Sequence, residues 1–121
     1  MKVVFFSESG IVGKVDRTFP NARNDIAWSI MMDADWCPYG KQPTGHYDLG
    51  VVTIPKTKPN LDVNSFRKYC DKVVVMQEGP HWYFQDYSVE EQFQFIENLR
   101  KADWVWCHNK SDVSYYEGLG C

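Results

Sequence analysis

Four short apolar runs, separated by segments of helical length, constrain this chain more than any other feature. They are VVFF (3–6), DLGVVTIP (48–55), KVVVMQ (72–77) and DWVWCHN (103–109). Each is rich in β-branched or aromatic residues and ends in polar, glycine or proline positions. That pattern predicts short strands; the most continuous, VVFF, reads as a strand buried on both faces.

The intervening segments carry helical periodicity. Ile26, Ala27, Ile30 and Met31 form one stripe of a helix over about residues 22–33, with Asn21 or Asn24 near its cap. Asp62 or Asn64 caps a short helix with Val63, Phe66 and Cys70 on one face. Ser88 and Glu91 make an S-x-x-E capping box. The apolar stripe Val89, Phe93, Ile96 and Leu99 follows, and Glu97 with Lys101 is a favourable i, i+4 pair. Ser111 is the expected cap of a last helix holding Val113 and Tyr116 and ending near Gly118 or Gly120. Residues 7–20 and the stretch DADWCPYGKQPTGHY, with their glycines and prolines, read as loops.

Strands alternating with helices through right-handed crossovers lead to a parallel sheet covered on both faces. The expected fold is α/β: a Rossmann-like parallel sheet of about four strands in a single domain, residues 1–121. In such sheets the ligand crevice lies beyond the carboxyl ends of the strands. The rim residues are then Ser9, Gly10, Gly13, Glu78, Gly79, His81, His108 and Asn109. Each has a plainer reading beside the functional one. Gly10 and Gly13 either let backbone amides approach a ligand or simply form turns. Glu78 is a general base or a surface acid. His81 is a packed imidazole beside Trp82 or a functional one, and His108 is a backbone-bonded residue or a ligand contact.

Composition removes several classes. The net charge of −3 indicates no nucleic-acid partner, and the run Lys56, Lys58, Arg67, Lys68 and Lys72 reads first as a solvated face. Cysteines at 37, 70, 107 and 121 show no metal-ligand spacing, and three scattered histidines do not suggest a metal site. Neither a dinucleotide nor a P-loop fingerprint is present, so no cofactor is indicated. No apolar run reaches the length of a signal peptide core or a membrane span, and a cytoplasmic location with free thiols is expected. Five Trp could line an apolar or sugar-stacking surface, although Trp104 and Trp106 share one sheet face and read first as core.

Residues 72–120 resemble the N-terminal domain of a GT-B glycosyltransferase. The resemblance rests on KVVVMQEGPHW, the helix SVEEQFQFIENLRKA, and DWVWCHNKSDVSYYEGLG. The opening MKVVFFSESGIVG is similar to that family's first strand and glycine-bearing loop, and VVV-x-Q before an acidic, histidine-bearing turn is similar to phage DNA glucosyltransferases. The resemblance implies an acceptor-side domain that moves a sugar from a nucleotide-sugar to an acceptor. It implies Glu78 or His81 as the base, Gly10 and Gly13 in the loop that approaches the donor, and Asn109 and Ser111 in the polar turn before the last helix, with the rim residue Ser9 beside that loop as a further substrate-binding candidate. The turn here reads Glu-Gly-Pro-His, where the family has His and Asp.

Nothing in the chain corresponds to the donor domain, which would hold most of the nucleotide-sugar. The resemblance therefore implies an incomplete N-terminal domain, inactive alone, whose open sheet edge favours a homodimer. The alternative is a non-enzymatic flavodoxin-like or Rossmann-like ligand-binding or interaction domain. A phospho-receiver would need clustered acids at strand ends, and Glu8 with Glu78 are poor substitutes.

Overall fold

The computed structural model describes residues 1–15, 24–77 and 85–121. Among these residues the chain forms β1 (Val3–Ser7), β2 (Gly13–Lys14), α1 (Asn24–Met31), β3 (Asp35–Pro38) and β4 (Tyr47–Val52). A 3-10 helix (Val63–Lys68), β5 (Cys70–Gln77), α2 (Val89–Lys101), β6 (Trp104–Cys107) and α3 (Val113–Gly118) complete it. One six-stranded sheet results, in the order β2-β3-β1-β4-β5-β6. Five strands are parallel, and only the short β2 runs antiparallel, against β3.

The α/β expectation with helices on both faces holds, while the strand count rises from four to six. Both additional strands lie in stretches read as loops. Asp35–Pro38 has only Trp36 and Cys37 as its apolar signal, too short for periodicity to register. It is a strand because it pairs with β1 along the whole of its length. Gly13–Lys14 owes its extension to pairing with β3.

The two sides of the sheet bury different sets. On one side Val4, Phe6, Val52, Val73 and Val75 pack under the 3-10 helix, α2 and α3. On the other, Phe5, Trp36, Val51, Val74 and Met76 face Ile26 of α1. The return from β3 to β4 crosses β1 in residues 39–46 without a helix. Tyr39 pins its start by donating its hydroxyl to the carbonyl oxygens of Phe6 and Thr53. At its other end the Tyr47 hydroxyl donates to Asp35 Oδ2 at 2.6 Å.

Two helices turn differently from their apolar stripes. In α1 the buried positions are Asp25, Ile26 and Ser29, and Ala27 and Met31 face solvent. In α2 the buried residues are Phe95, Asn98 and Leu99, whereas Val89 and Phe93 are exposed, Phe93 by 65%. Polar residues decide both rotations. Asn98 accepts from Val63 N (3.4 Å) and donates to Pro59 O (2.7 Å), tying α2 to the approach of the 3-10 helix. A hydrophobic count gives such a residue no weight.

The caps divide similarly. Ser88 and Glu91 form the expected capping box, and Asp62 accepts from Asn64 N to begin the 3-10 helix, while Cys70 belongs to β5. Ser111 does not cap α3: it sits inside the 3-10 turn Lys110–Asp112, and Asp112 takes the cap position without a side-chain bond. Lys101 lies 3.8 Å from Asp62, an ion pair the helical spacing with Glu97 did not predict.

Asp103 ties the start of β6 to β5. Its Oδ2 accepts from Val73 N at 2.8 Å and from Arg67 Nη1 at 2.9 Å. Partial burial pushes this carboxyl up, but the Val73 amide, Arg67 and Lys72 outweigh it and hold it below the ordinary carboxylate range. A lowered folded value means stability that is present above the unfolded carboxylate range and is lost as pH falls through the folded value. Asp103→Asn is expected to cost about 1 kcal/mol near neutral pH. In urea titrations the gap from wild type should close as pH drops through the acid range; a pH-independent gap would contradict the ionic part of this account.

Candidate ligand site at the carboxyl edge of the sheet

Counting only the five parallel strands, their spatial order is 2-1-3-4-5, one of the two common doubly wound orders. Its switch point lies between β1 and β4. The chain leaving β1 supplies α1 on one side, and the chain leaving β4 supplies the 3-10 helix on the other. Opposite departures open a crevice above these two strand ends.

The last positions of the strands, and those just beyond, are polar. Ser7 closes β1, Thr53 follows β4, Gln77 closes β5 and His108 follows β6. Ser7 Oγ donates to Asp25 Oδ2 at 3.1 Å, and Asp25 Oδ1 accepts from Ile26 N at 2.9 Å. Asp25 is only 1% exposed. Its place in the first turn of α1 sets the carboxylate beside unsatisfied helix amides, where a negative charge is favoured.

Among the described residues three buried side-chain atoms at this edge have no hydrogen-bond partner: Thr53 Oγ1, Gln77 Nε2 and His108 Nε2. Gln77 is 2% exposed. Buried polar atoms are rarely left unpaired, and such groups at a crevice indicate a bound water or ligand atom. The His108 ring meets Trp28 of α1 edge-on with centroids 5.9 Å apart, and Trp28 also touches Trp106 at 5.9 Å. Thr53, Met76, Trp106 and His108 share the α1 side of the sheet with Ser7, by strand alternation and register. Gln77 points to the opposite side, with Cys107.

The residues expected from sequence are distributed unevenly around this edge. β5 ends at Gln77, directly before Glu78 and His81, and both of those lie outside the described residues. Ser9 and Gly10 follow β1, but their visible role is architectural. Trp36 Nε1 donates to Ser9 O at 2.6 Å, and a Cβ on Gly10 would stand 2.4 Å from that nitrogen. Gly10 also has φ +110°, which L side chains rarely adopt. Gly13 lies in β2 beside Trp36 rather than over the strand tips. Asn109 and Ser111 are exposed beyond β6, and Asn109 O accepts from Asp112 N at 3.0 Å.

Ser7, Asp25 and Thr53 were not singled out by sequence reasoning, and Trp28 entered it only as one of the five tryptophans that could line an apolar or sugar-stacking surface. The available signal was positional: a polar residue directly at the end of an apolar run, and an acid in the first turn of the following helix. His108 was on the expected rim, and its Nε2 lacks the backbone partner of its plainer reading.

Basic residues between 56 and 72 are largely engaged. Lys56 pairs with Asp86 (2.9 Å), Arg67 with Asp103 (2.9 Å), and Lys72 approaches Asp103 at 3.9 Å. Among the described residues no group of three or more His, Cys, Asp or Glu could hold a metal. The buried Cys70 thiol is pushed up to about 12 by desolvation, with Asp71 adding to it, which makes it a packing residue rather than a nucleophile. No described helix is long and apolar enough to cross a membrane. No family model, curated protein or solved structure matches the chain. The fold is a doubly wound α/β domain whose carboxyl sheet edge carries buried polar groups beside the Trp28 and Trp106 rings.

Proposed function

We propose that the protein is a ligand-binding α/β domain that holds a small polar molecule carrying a sugar or a flat ring at the carboxyl edge. The observation that carries this reading is the pair of unpartnered atoms on the α1 side, Thr53 Oγ1 and His108 Nε2, beside the buried Ser7–Asp25 pair and the Trp28 ring. A hydroxyl and an imidazole nitrogen each donate or accept, which suits ligand hydroxyls or ring nitrogens. Trp28 offers an aromatic face or edge for the remaining apolar surface.

A narrower form of the same reading makes the crevice the acceptor wall of a glycosyltransferase, with Glu78 or His81 as base. Its support is the resemblance over residues 72–120, and within that stretch β5, α2, β6 and α3 occur in the strand–helix–strand–helix order the resemblance requires.

The test is a binding titration with UDP-glucose, UMP, FMN and glucose, followed by tryptophan fluorescence and saturation-transfer NMR. At least one ligand is expected to bind, and His108→Ala or Thr53→Val should weaken it about three- to tenfold, the effect of one lost hydrogen bond. FMN as the preferred ligand would favour the flavodoxin-like form, and UDP-glucose the glycosyl-transfer form. Binding untouched by both substitutions, or no binding at all, would overturn the proposal.

A further inference from the structure

β6 ends the sheet on the side away from β2, and among the described residues nothing pairs with its outer edge. Its sequence, Trp-Val-Trp-Cys, contains neither a charge nor a proline, the usual protections of an edge strand. Trp104 is 55% exposed. With Trp106 it borders a shallow hollow that also touches Met1, Asp48, Leu49 and Lys72. Trp28 of α1 meets Trp106 on this side of the sheet, with ring centroids 5.9 Å apart.

Backbone direction adds a second constraint. Asp103 N donates to Val73 O at 2.8 Å, so the start of β6 faces β5. Because the Val73 carbonyl points to β6, the Val74 amide turns to β4. In the pair Val74–Trp104 it is therefore Trp104, and with it Trp106, whose amide and carbonyl face β5; those of Val105 and Cys107 turn outward.

We propose that β6 pairs antiparallel with β6 of a second copy of this chain, about a two-fold axis through Val105, joining the two sheets into one. The register is self-complementary. With Val105 on the axis, Trp104 stands opposite Trp106 of the other copy, and Trp106 opposite its Trp104. Val105, whose backbone groups point outward, becomes the hydrogen-bonded pair on the axis, and the two Trp104–Trp106 pairs are its non-hydrogen-bonded neighbours, where side chains stand closer. Their indoles form two cross-strand aromatic pairs on the face that α1 leaves open. A one-residue slip would set Trp104 against Val105 and direct those side chains to opposite faces, so only this parity closes. Such an interface is isologous, as two-fold dimers require.

The area sets the strength. A tryptophan presents ~150–250 Å² when fully exposed; Trp104 is 55% exposed and Trp106 less, so the indoles of two copies together cover at most roughly 300–450 Å². Stable complexes bury about 1,200 Å² or more. The dimer is therefore weak and reversible, and does not depend on what the carboxyl edge binds.

Sedimentation velocity from about 1 to 500 µM, a range chosen for a weak interface, with hydrogen exchange on the intact chain, tests this. Wild type is expected to shift from monomer toward dimer with concentration. The Val105 amide should gain protection in parallel, and tryptophan emission should move to the blue. Trp104→Lys should weaken association by about tenfold or more. Val105→Pro should do the same while sparing the β5–β6 ladder, because the Val105 amide faces outward. Phe93→Lys, on the exposed face of α2, should leave it unchanged. A monomer at every concentration would overturn the proposal, as would a dimer that survives both Trp104→Lys and Val105→Pro or is abolished by Phe93→Lys.

Discussion

Replacing Trp36 with alanine is expected to remove about 3–5 kcal/mol of stability, the range for deleting a fully buried large aromatic. Trp36 is 1% exposed in the middle of β3. Its ring stacks near-parallel to Phe5 at 6.3 Å, and its Nε1 holds the carbonyl of Ser9. Deletion leaves a cavity in the layer between the sheet and α1 and also frees the loop that leaves β1. For a chain of this length the melting temperature should fall by roughly 10–20 °C, readable by calorimetry. Trp36→Phe keeps most of the ring and loses the hydrogen bond, and should cost clearly less. The loop supplies a sharper check. Gly10→Ala suffers both its positive φ and a Cβ only 2.4 Å from Trp36 Nε1. In a Trp36→Ala background the steric part disappears and the backbone part of about 1–3 kcal/mol remains. Strictly additive effects of the two substitutions would contradict direct contact between them.

The second large effect is expected at Gly50, in β4 at the centre of the sheet. A Cβ there would lie 2.6 Å from Cys70 Sγ and 3.3 Å from Phe6 Cε2. The missing side chain is what admits the Phe6 ring, which packs on Phe66 at 4.5 Å. Both neighbours sit inside a filled layer with no room to retreat, so overpacking is relieved only by moving strands. Gly50→Val should cost about 3 kcal/mol or more, and Gly50→Ala roughly 1–2 kcal/mol. Cys70→Ala removes the sulfur atom in the way and should recover part of the Gly50→Ala loss, although alone it destabilises. Chemical denaturation of the four proteins in that cycle measures the coupling; a zero or opposite coupling would show that Cys70 is not the obstacle.

The candidate site was partly legible for a topological reason. Apolar runs mark strands, strands in alternation with helices imply parallel pairing, and parallel pairing places all strand tips at one edge. That chain of inference reached the rim on which His108 lies without coordinates. It missed Asp25 because an acid in a helical stripe counts as solvent-facing, whereas this one is buried against Ser7. It passed over Thr53 because nothing local distinguishes a threonine near a strand end from any other. Gly10 carries the opposite lesson: a glycine beside a presumed ligand loop proved to be required by Trp36, a residue 26 positions away in sequence.

By itself the sequence determined the α/β class, the parallel direction of the four strong strands, the Ser88–Glu91 cap and the edge at which a crevice would open. These depend on periodicity and on hydrogen bonds between near neighbours, which the order of residues contains. Tertiary structure alone decided that Asp35–Pro38 is a strand and that β1 lies between β3 and β4. It also decided which faces of α1 and α2 are buried, and that Trp104 lies open at an edge. Those features are settled by pairing and packing between segments far apart in the chain. A single long-range contact, such as Asn98 with Pro59 or Trp36 with Ser9, there outweighs the local hydrophobic pattern, because burying an unpaired polar group costs more than turning a helix by part of a turn.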